Sequence, residues 1–209
     1  MFNKKNSVSS LFDFLAQVEK LKSTLRYSKT TSGRKESTAE HSWRLALMTF
    51  MIAEEKELAI DVLHAVKIVL VHDIAEAVIG DMDAIKIAEG KISKKEKEKQ
   101  EKEAMIALTR ILPKTQREEV YTLWEEYENA LTDEAKYVKA LDKIETLTQL
   151  VESGYKTYDK PEFIANYADK AVSAYPALTD LLREIKVRLK EEFIQGDIEW
   201  KQEYGKIKR

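Results

Sequence analysis

The sequence predicts an all-α fold, and three observations carry that expectation. Six glycines and three prolines in 209 residues fall well below the roughly 12% that these two residues reach together on average. An all-β chain needs both for its many tight turns. Capping-box patterns recur at Ser37-Thr38-Ala39-Glu40, Ser93-Lys94-Lys95-Glu96 and Thr115-Gln116-Arg117-Glu118, each with a hydroxyl at N-cap and a Glu three residues on. Each pattern opens a segment whose apolar residues recur at the helical period. No segment requires a strand.

Helices are expected in order over residues 10–24, 38–55, 60–79, 93–112, 116–130, 133–153 and 177–195. Gly80, Pro113 and Gly154 supply stop signals after the third, fourth and sixth. The third element contains Lys67-Ile68-Val69-Leu70-Val71-His72-Asp73, which by composition could be a buried strand. It runs on without a breaker from Ile60 to Ile79, too long for a typical strand and normal for a helix. Being apolar nearly all round, it is expected to be a central, buried helix. The run Lys91 to Glu103 alternates Lys and Glu and reads as a hydrated helix laced with i,i+4 pairs. No repeat or linker interrupts the chain. A single domain over 1–209 is expected, with a motif-bearing core over about 10–155 and a helical extension over about 160–209.

Composition removes several function classes. With 35 Lys and Arg against 37 Asp and Glu the formal net charge is −2, unlike the basic footprint of a protein that binds polymeric nucleic acid. No glycine-rich phosphate loop of either common type occurs. Cysteine is absent, which excludes disulfides, thiolate zinc sites, iron–sulfur clusters and thiol catalysis and points to a reducing compartment. The N-terminal MFNKKNSVSSLFDFLAQVEK lacks the apolar stretch of a signal peptide. No run approaches the 18 apolar residues of a membrane span. A cytoplasmic protein without membrane partners is expected.

The chemistry is expected where polar groups interrupt apolar helices. A buried, unpaired carboxylate is costly, so His72-Asp73 inside the most apolar segment needs partners. A divalent cation would compensate the carboxylate, and imidazole with carboxylate suits several transition metals. Two groups do not suffice for a site. His41, behind the Ser37 cap, and Asp142, among the apolar neighbours of Tyr137-Val138-Lys139-Ala140-Leu141-Asp142-Lys143-Ile144, are candidates from other helices. Glu76 lies one turn beyond His72, on the same face of a continuous helix. A satisfied core histidine with an ion-paired aspartate is the alternative reading of the dipeptide alone.

The order His41, His72-Asp73, Asp142 resembles the HD-domain metal-dependent phosphohydrolases. Ala39-Glu40-His41-Ser42-Trp43-Arg44-Leu45-Ala46 is similar to the segment around the family's first histidine. Leu70-Val71-His72-Asp73-Ile74-Ala75-Glu76-Ala77-Val78-Ile79-Gly80-Asp81 resembles the HD-x-x-E-x-x-x-G-D block of one subgroup, which includes bacterial 5′-deoxynucleotidases. Leu123-Trp124-Glu125-Glu126-Tyr127 and the Asp142 segment are also similar. The resemblance covers residues 10–155, and no motif extends it beyond about 160.

The resemblance implies metal ligation by His41, His72, Asp73 and Asp142, and an acid/base role for Glu76. It implies a sugar contact for Asp81 and a phosphate contact for Arg26, with Tyr27 beside it toward base or sugar, where relatives often carry Trp. A guanidinium suits a phosphate monoester by charge and by bidentate geometry. The resemblance implies hydrolysis of a nucleoside 5′-monophosphate, with a deoxyribonucleoside 5′-monophosphate as the expected substrate. It further implies one divalent ion per chain (Mn, Co, Fe, Ni, Zn or Mg) and a homodimer. The alternatives are another phosphohydrolase or phosphodiesterase of this type, or a nucleotide-binding regulatory protein without turnover. Arg34 is expected in a structural ion pair, His64 as a packed or surface residue, and Trp43, Trp124 and Trp200 as packing residues.

Overall fold

The computed structural model describes residues 7–82, 85, 87 and 89–208. Ten α-helices are described: α1 (Ser7–Val18), α2 (Thr38–Glu55), α3 (Val62–Val71), α4 (Glu76–Ile79), α5 (Lys94–Thr109), α6 (Lys114–Asn129), α7 (Asp133–Ser153), α8 (Pro161–Asn166), α9 (Asp169–Ala174) and α10 (Thr179–Gln195). Helix α7 is the hub. It packs against α2, α3, α6, α9 and α10, and eleven of its residues are buried, among them Tyr137, Leu141, Ile144 and Leu147. Leu45 from α2, Ile68 and Val69 from α3, and Leu182 and Leu189 from α10 fill the spaces around it. Ile74, Ala75, Ala104, Met105 and Trp124 form a second cluster where α5 and α6 meet the turn after α3. No helix is long and apolar enough to cross a membrane among the described residues.

Four expectations are corrected. A strand pair exists: β1 (Leu25–Lys29) runs antiparallel to β2 (Lys35–Ser37), with Leu25 opposite Ser37 and Lys29 opposite Lys35. The helix expected over 10–24 therefore ends at Val18, followed by a 3₁₀ turn over Glu19–Lys22. The turn Thr30-Thr31-Ser32-Gly33 carries the reversal, with Gly33 at φ +86°, a conformation that glycine adopts without steric cost. The signal was a Ser-Gly turn between short runs, and it was obscured by the dense helix pattern on either side.

The second correction concerns the helix expected over 60–79. It stops at Val71. His72 through Ala75 form tight turns, with Ile74 N–H bonding to the Val71 carbonyl and Glu76 N–H to the Asp73 carbonyl, the i→i−3 pattern of a 3₁₀ helix. The carbonyl of Val69, which a continuing α-helix would offer to the Asp73 amide, instead faces His72 Nδ1 at 2.6 Å. A side chain has displaced the backbone ladder. Third, only the first capping box closes. Ser37 accepts from the Glu40 amide while the Glu40 carboxylate accepts from the Ser37 amide. Ser93 makes no side-chain cap bond, and α6 begins before Thr115, with Pro113 at its N-cap. Fourth, Trp43 is no packing residue: it is 68% exposed on α2. Trp124 is buried, and Trp200 packs edge-on against Phe193.

Candidate metal centre and substrate cavity

Three elements converge on one point. Ser37 starts α2, so His41 sits on its second turn, fully buried. The break after α3 turns His72 and Asp73 inward, and α7 presents Asp142 from the hub. His72 Nε2 lies 2.9 Å from Asp73 Oδ2. His41 Nε2 lies 3.2 Å from Asp142 Oδ1 and 3.9 Å from Asp73 Oδ2. The ligand-type atoms of His41, His72 and Asp73 all fall within 4.8 Å of one another. Both Nε2 atoms are buried without a hydrogen-bond partner.

The other ring nitrogens fix the tautomer. His72 Nδ1 faces the Val69 carbonyl, which can only accept, and His41 Nδ1 faces the Glu145 carboxylate. Each Nδ1 therefore carries a proton. This is the arrangement that aims a metal-ligating imidazole: the second nitrogen donates to a carbonyl or carboxylate behind it. Orphaned Nε2 atoms beside acceptor-only carboxylates fit a divalent cation by donor type and spacing.

Electrostatics agree with the geometry. Burial and Arg26 oppose a charged His41, yet Glu145 and Asp142 outweigh them and push its imidazole up to about 9. Burial also opposes ionised Asp73, but His72, Arg26 and His41 hold it below the usual carboxylate range. The cluster demands positive charge at its centre, which a proton or a cation can supply. Asp142 Oδ2 accepts from the Tyr127 hydroxyl and from Lys143, both at 2.8 Å, which leaves Oδ1 directed at His41.

A cavity of about 440 Å³ opens beside this cluster, lined by Arg26, Tyr27, Asp73, Glu76, Asp81 and Asp142 among others. Arg26 stands on β1. Its Nη1 is 3.3 Å from Asp73 Oδ2, its Nη2 donates to Thr146 Oγ1 at 3.1 Å, and its Nε is 3.4 Å from Glu36. Tyr27 also lines the cavity, and its hydroxyl donates to the Thr157 carbonyl (3.3 Å) and accepts from the Asp159 amide (3.0 Å). Glu76 follows the broken turn rather than a continuous helix face. It is 9% exposed and accepts from Thr38 Oγ1 at 2.8 Å. Burial, and the negative Asp73 and Asp81 near it, push its carboxyl up to about 9. Asp81 lines the cavity just past Gly80, whose φ is +76°.

All eight residues singled out from the sequence thus border this cavity or the cluster beneath it. His64 does not belong: it pairs with Glu126 at 2.9 Å. Arg34 forms its ion pair with Glu40. Sequence reasoning missed Glu145, Thr146, Tyr127 and Lys143. The one signal for Glu145 was its place three residues after Asp142 and so on the same helical face, which alone does not tell it from a solvated charge.

The chain matches the family model described as "HD domain" over residues 18–178. It is 34% identical over 182 residues to human "5′-deoxynucleotidase HDDC2", covering 85% of each chain. It is 39% identical over 145 residues to the Xenopus laevis protein of the same name, covering 68% of this chain and 69% of that one. Among solved structures, a protein of Magnetospirillum magnetotacticum, described as a predicted metal-dependent phosphohydrolase, superposes with a TM-score of 0.78. It is 29% identical and is covered over 99% of its length by 95% of this chain.

Proposed function

The chain belongs to the HD-domain family, and from that premise we propose that it is a metal-dependent phosphohydrolase that converts nucleoside 5′-monophosphates, the deoxyribonucleotides foremost, to nucleoside and inorganic phosphate. The observation that carries the reading is the pair of buried imidazole Nε2 atoms, free of hydrogen bonds, beside two carboxylates at the floor of the cavity. We assign His41, His72, Asp73 and Asp142 as ligands of one divalent ion per chain. A divalent ion held there supplies positive charge that polarises a phosphoryl oxygen and acidifies water. A single domain over 1–209, a cytoplasmic location and a homodimer belong to the same reading. The absence of cysteine supports the second. The exposed stripe of Trp43, Leu47, Phe50 and Met51 on α2 supports the third.

The chain's own residues then do the following. Arg26 holds a phosphoryl oxygen, since a guanidinium matches a phosphate dianion in charge and geometry. Asp81 accepts from a sugar hydroxyl at the cavity mouth. Tyr27 bounds the nucleoside. Glu76 stands in a dry position with Thr38 fixing one oxygen; a cation beside it would offset Asp73, one of the charges that hold its proton on, and as the carboxylate it takes a proton from the attacking water and gives one to O5′ as the P–O5′ bond breaks. Acid–base assistance of this kind contributes about 10²–10⁴ in rate.

The test is turnover of ribo- and deoxyribonucleoside 5′-monophosphates by metal-stripped protein, restored with each of several divalent ions. Activity is expected only with a metal present, and the wild type is expected to favour deoxyribonucleotides. Glu76→Gln keeps size and hydrogen bonding but removes the basic site. It is expected to retain metal and nucleotide binding while kcat falls by the factor above. Wild-type protein that hydrolyses no nucleotide with any ion sinks the reading. Wild-type turnover by Glu76→Gln removes Glu76 from the mechanism.

A further inference from the structure

The metal chemistry accounts for only part of the cavity wall. Asp73, Glu76 and Asp142 line it, and so do Tyr27, Ile85, Leu150 and Phe163. Leu150 lies eight residues beyond Asp142 on α7, roughly 12 Å along the axis at 1.5 Å per residue.

Phe163 is the least explained of these side chains. It stands on α8, beyond every motif that the sequence resemblance covers, and it is half-buried. Among the described residues its ring partner is Tyr167, with centroids 5.3 Å apart. Ile85 and Phe163 also line a second cavity, and Phe163 is only partly covered by protein. A large aromatic ring left open to a cavity is a contact surface waiting for a partner.

The segment that carries Phe163 is fixed to the site. The Tyr27 hydroxyl bonds to the Thr157 carbonyl and the Asp159 amide, which joins β1 to the connection leading into α8. Lys143 Nζ lies 5.3 Å from the Tyr167 ring centroid and 2.8 Å from Asp142. Two aromatic residues from distant parts of the chain, Tyr27 and Phe163, are thereby held on the wall of the cavity that Asp73 and Asp142 also line.

We propose that Phe163 is the nucleobase-binding residue of this site: the base of the substrate lies against its ring, and the segment 157–167 confers the preference for a nucleotide over a simple sugar phosphate. The proposal rests on the reading of the previous subsection and adds to it the residue that reads the base. A nucleoside monophosphate joins a charged phosphate to a flat aromatic base, and the wall of this cavity carries both charged and aromatic side chains. Every base has a π-face, so stacking of this kind is tolerant of base identity. Weak discrimination among the bases is therefore expected.

Calorimetry tests the proposal independently of turnover. The probes are deoxyadenosine and thymidine, which carry a base and no phosphate, and 2-deoxyribose 5-phosphate, which carries the reverse. Phe163→Ala is expected to bind both nucleosides roughly ten- to a hundredfold more weakly than the wild type, the span of one base–aromatic stack. Phe163→Trp is expected to restore the affinity. In kinetics the ratio of kcat/KM for deoxynucleoside monophosphates over 2-deoxyribose 5-phosphate should fall by the same factor in Phe163→Ala, with the loss in KM. Equal nucleoside affinity in wild type and Phe163→Ala overturns the proposal, as does an equal loss of nucleosides and sugar phosphate. Nucleosides bound through Phe163 by a protein that hydrolyses no nucleotide would overturn the activity proposed above and leave the base wall standing.

Discussion

Glu145 governs how firmly His41 is aimed. It is fully buried, and its two oxygens are divided between His41 Nδ1 and Arg44 Nε. Burial alone would raise its carboxyl, but His41 and Arg44 hold it below the usual range. An imidazole backed by a carboxylate is a stronger and better-oriented ligand, and loss of such a partner typically costs 10–100-fold in metal affinity. Glu145→Gln keeps the shape and removes the charge. Competition against a chelator is expected to show a loss of that size with the fold intact, and unchanged affinity would remove Glu145 from the support of the site. The residues of the cluster differ in how far the sequence revealed them. His72, Asp73 and Asp142 were legible because each is out of place among apolar neighbours. Glu145 sits in Asp142-Lys143-Ile144-Glu145, where a charge reads as an ordinary solvated face, and only the packing of α2 against α7 puts it behind His41.

At the scale of elements, helix starts separate what a local pattern can and cannot specify. Ser37 and Ser93 both head a capping-box sequence. Ser37 is 4% exposed and its box closes. Ser93 heads a helix whose first turns are solvated, and its hydroxyl makes no cap bond. Ser37→Ala is expected to cost about 1 kcal/mol in a denaturant titration, and Ser93→Ala a few tenths at most. Equal costs would show that the two caps are alike in solution. The Ser37 box also carries a pH signature. Arg34 and the Ser37 amide bring Glu40 down to about 2. A carboxylate with a depressed folded pKa contributes stability that is complete above its unfolded value and is lost as pH falls toward the folded one. The Glu40 resonance is therefore expected to titrate near pH 2, and in Arg34→Ala to move up toward the ordinary carboxylate range. A Glu40 that titrates normally in the wild type contradicts the pairing. The hairpin was hidden from the sequence for a related reason: three- and five-residue strands hold too few residues for a period-2 signal, and their pairing is completed by contact with α7.

At the scale of the whole molecule, the chain between residue 155 and α10 is where sequence reasoning was weakest, because no motif and no long periodic run marks it. Helices α8 and α9 are six residues each, too short for a helical period to stand out. Besides its apolar packing on the main core, this part is tied together by a buried ion pair. Lys186 on α10 is 3% exposed and lies 2.6 Å from Asp169 at the start of α9. The same ammonium donates to the carbonyls of Tyr204 and Lys206 at 2.8 and 3.0 Å, while Asp169 accepts from the Lys208 amide at 3.1 Å. One pair thus ties α9, α10 and the segment 204–208 together, and Tyr204 packs on Phe193 within the main core. Removing one partner leaves an uncompensated charge in a dry site, which costs about 3–5 kcal/mol, whereas replacing both with apolar groups of similar volume is often neutral. Lys186→Met is therefore expected to lose stability on that scale in chemical denaturation, because Asp169 remains. Lys186→Met combined with Asp169→Leu is expected to recover most of it. Metal content should not change in either variant, since the pair lies outside the cluster of His41, His72, Asp73 and Asp142. A single variant as stable as the wild type would show that Asp169 escapes to water when its partner is gone, and that this corner of the molecule opens without disturbing the core.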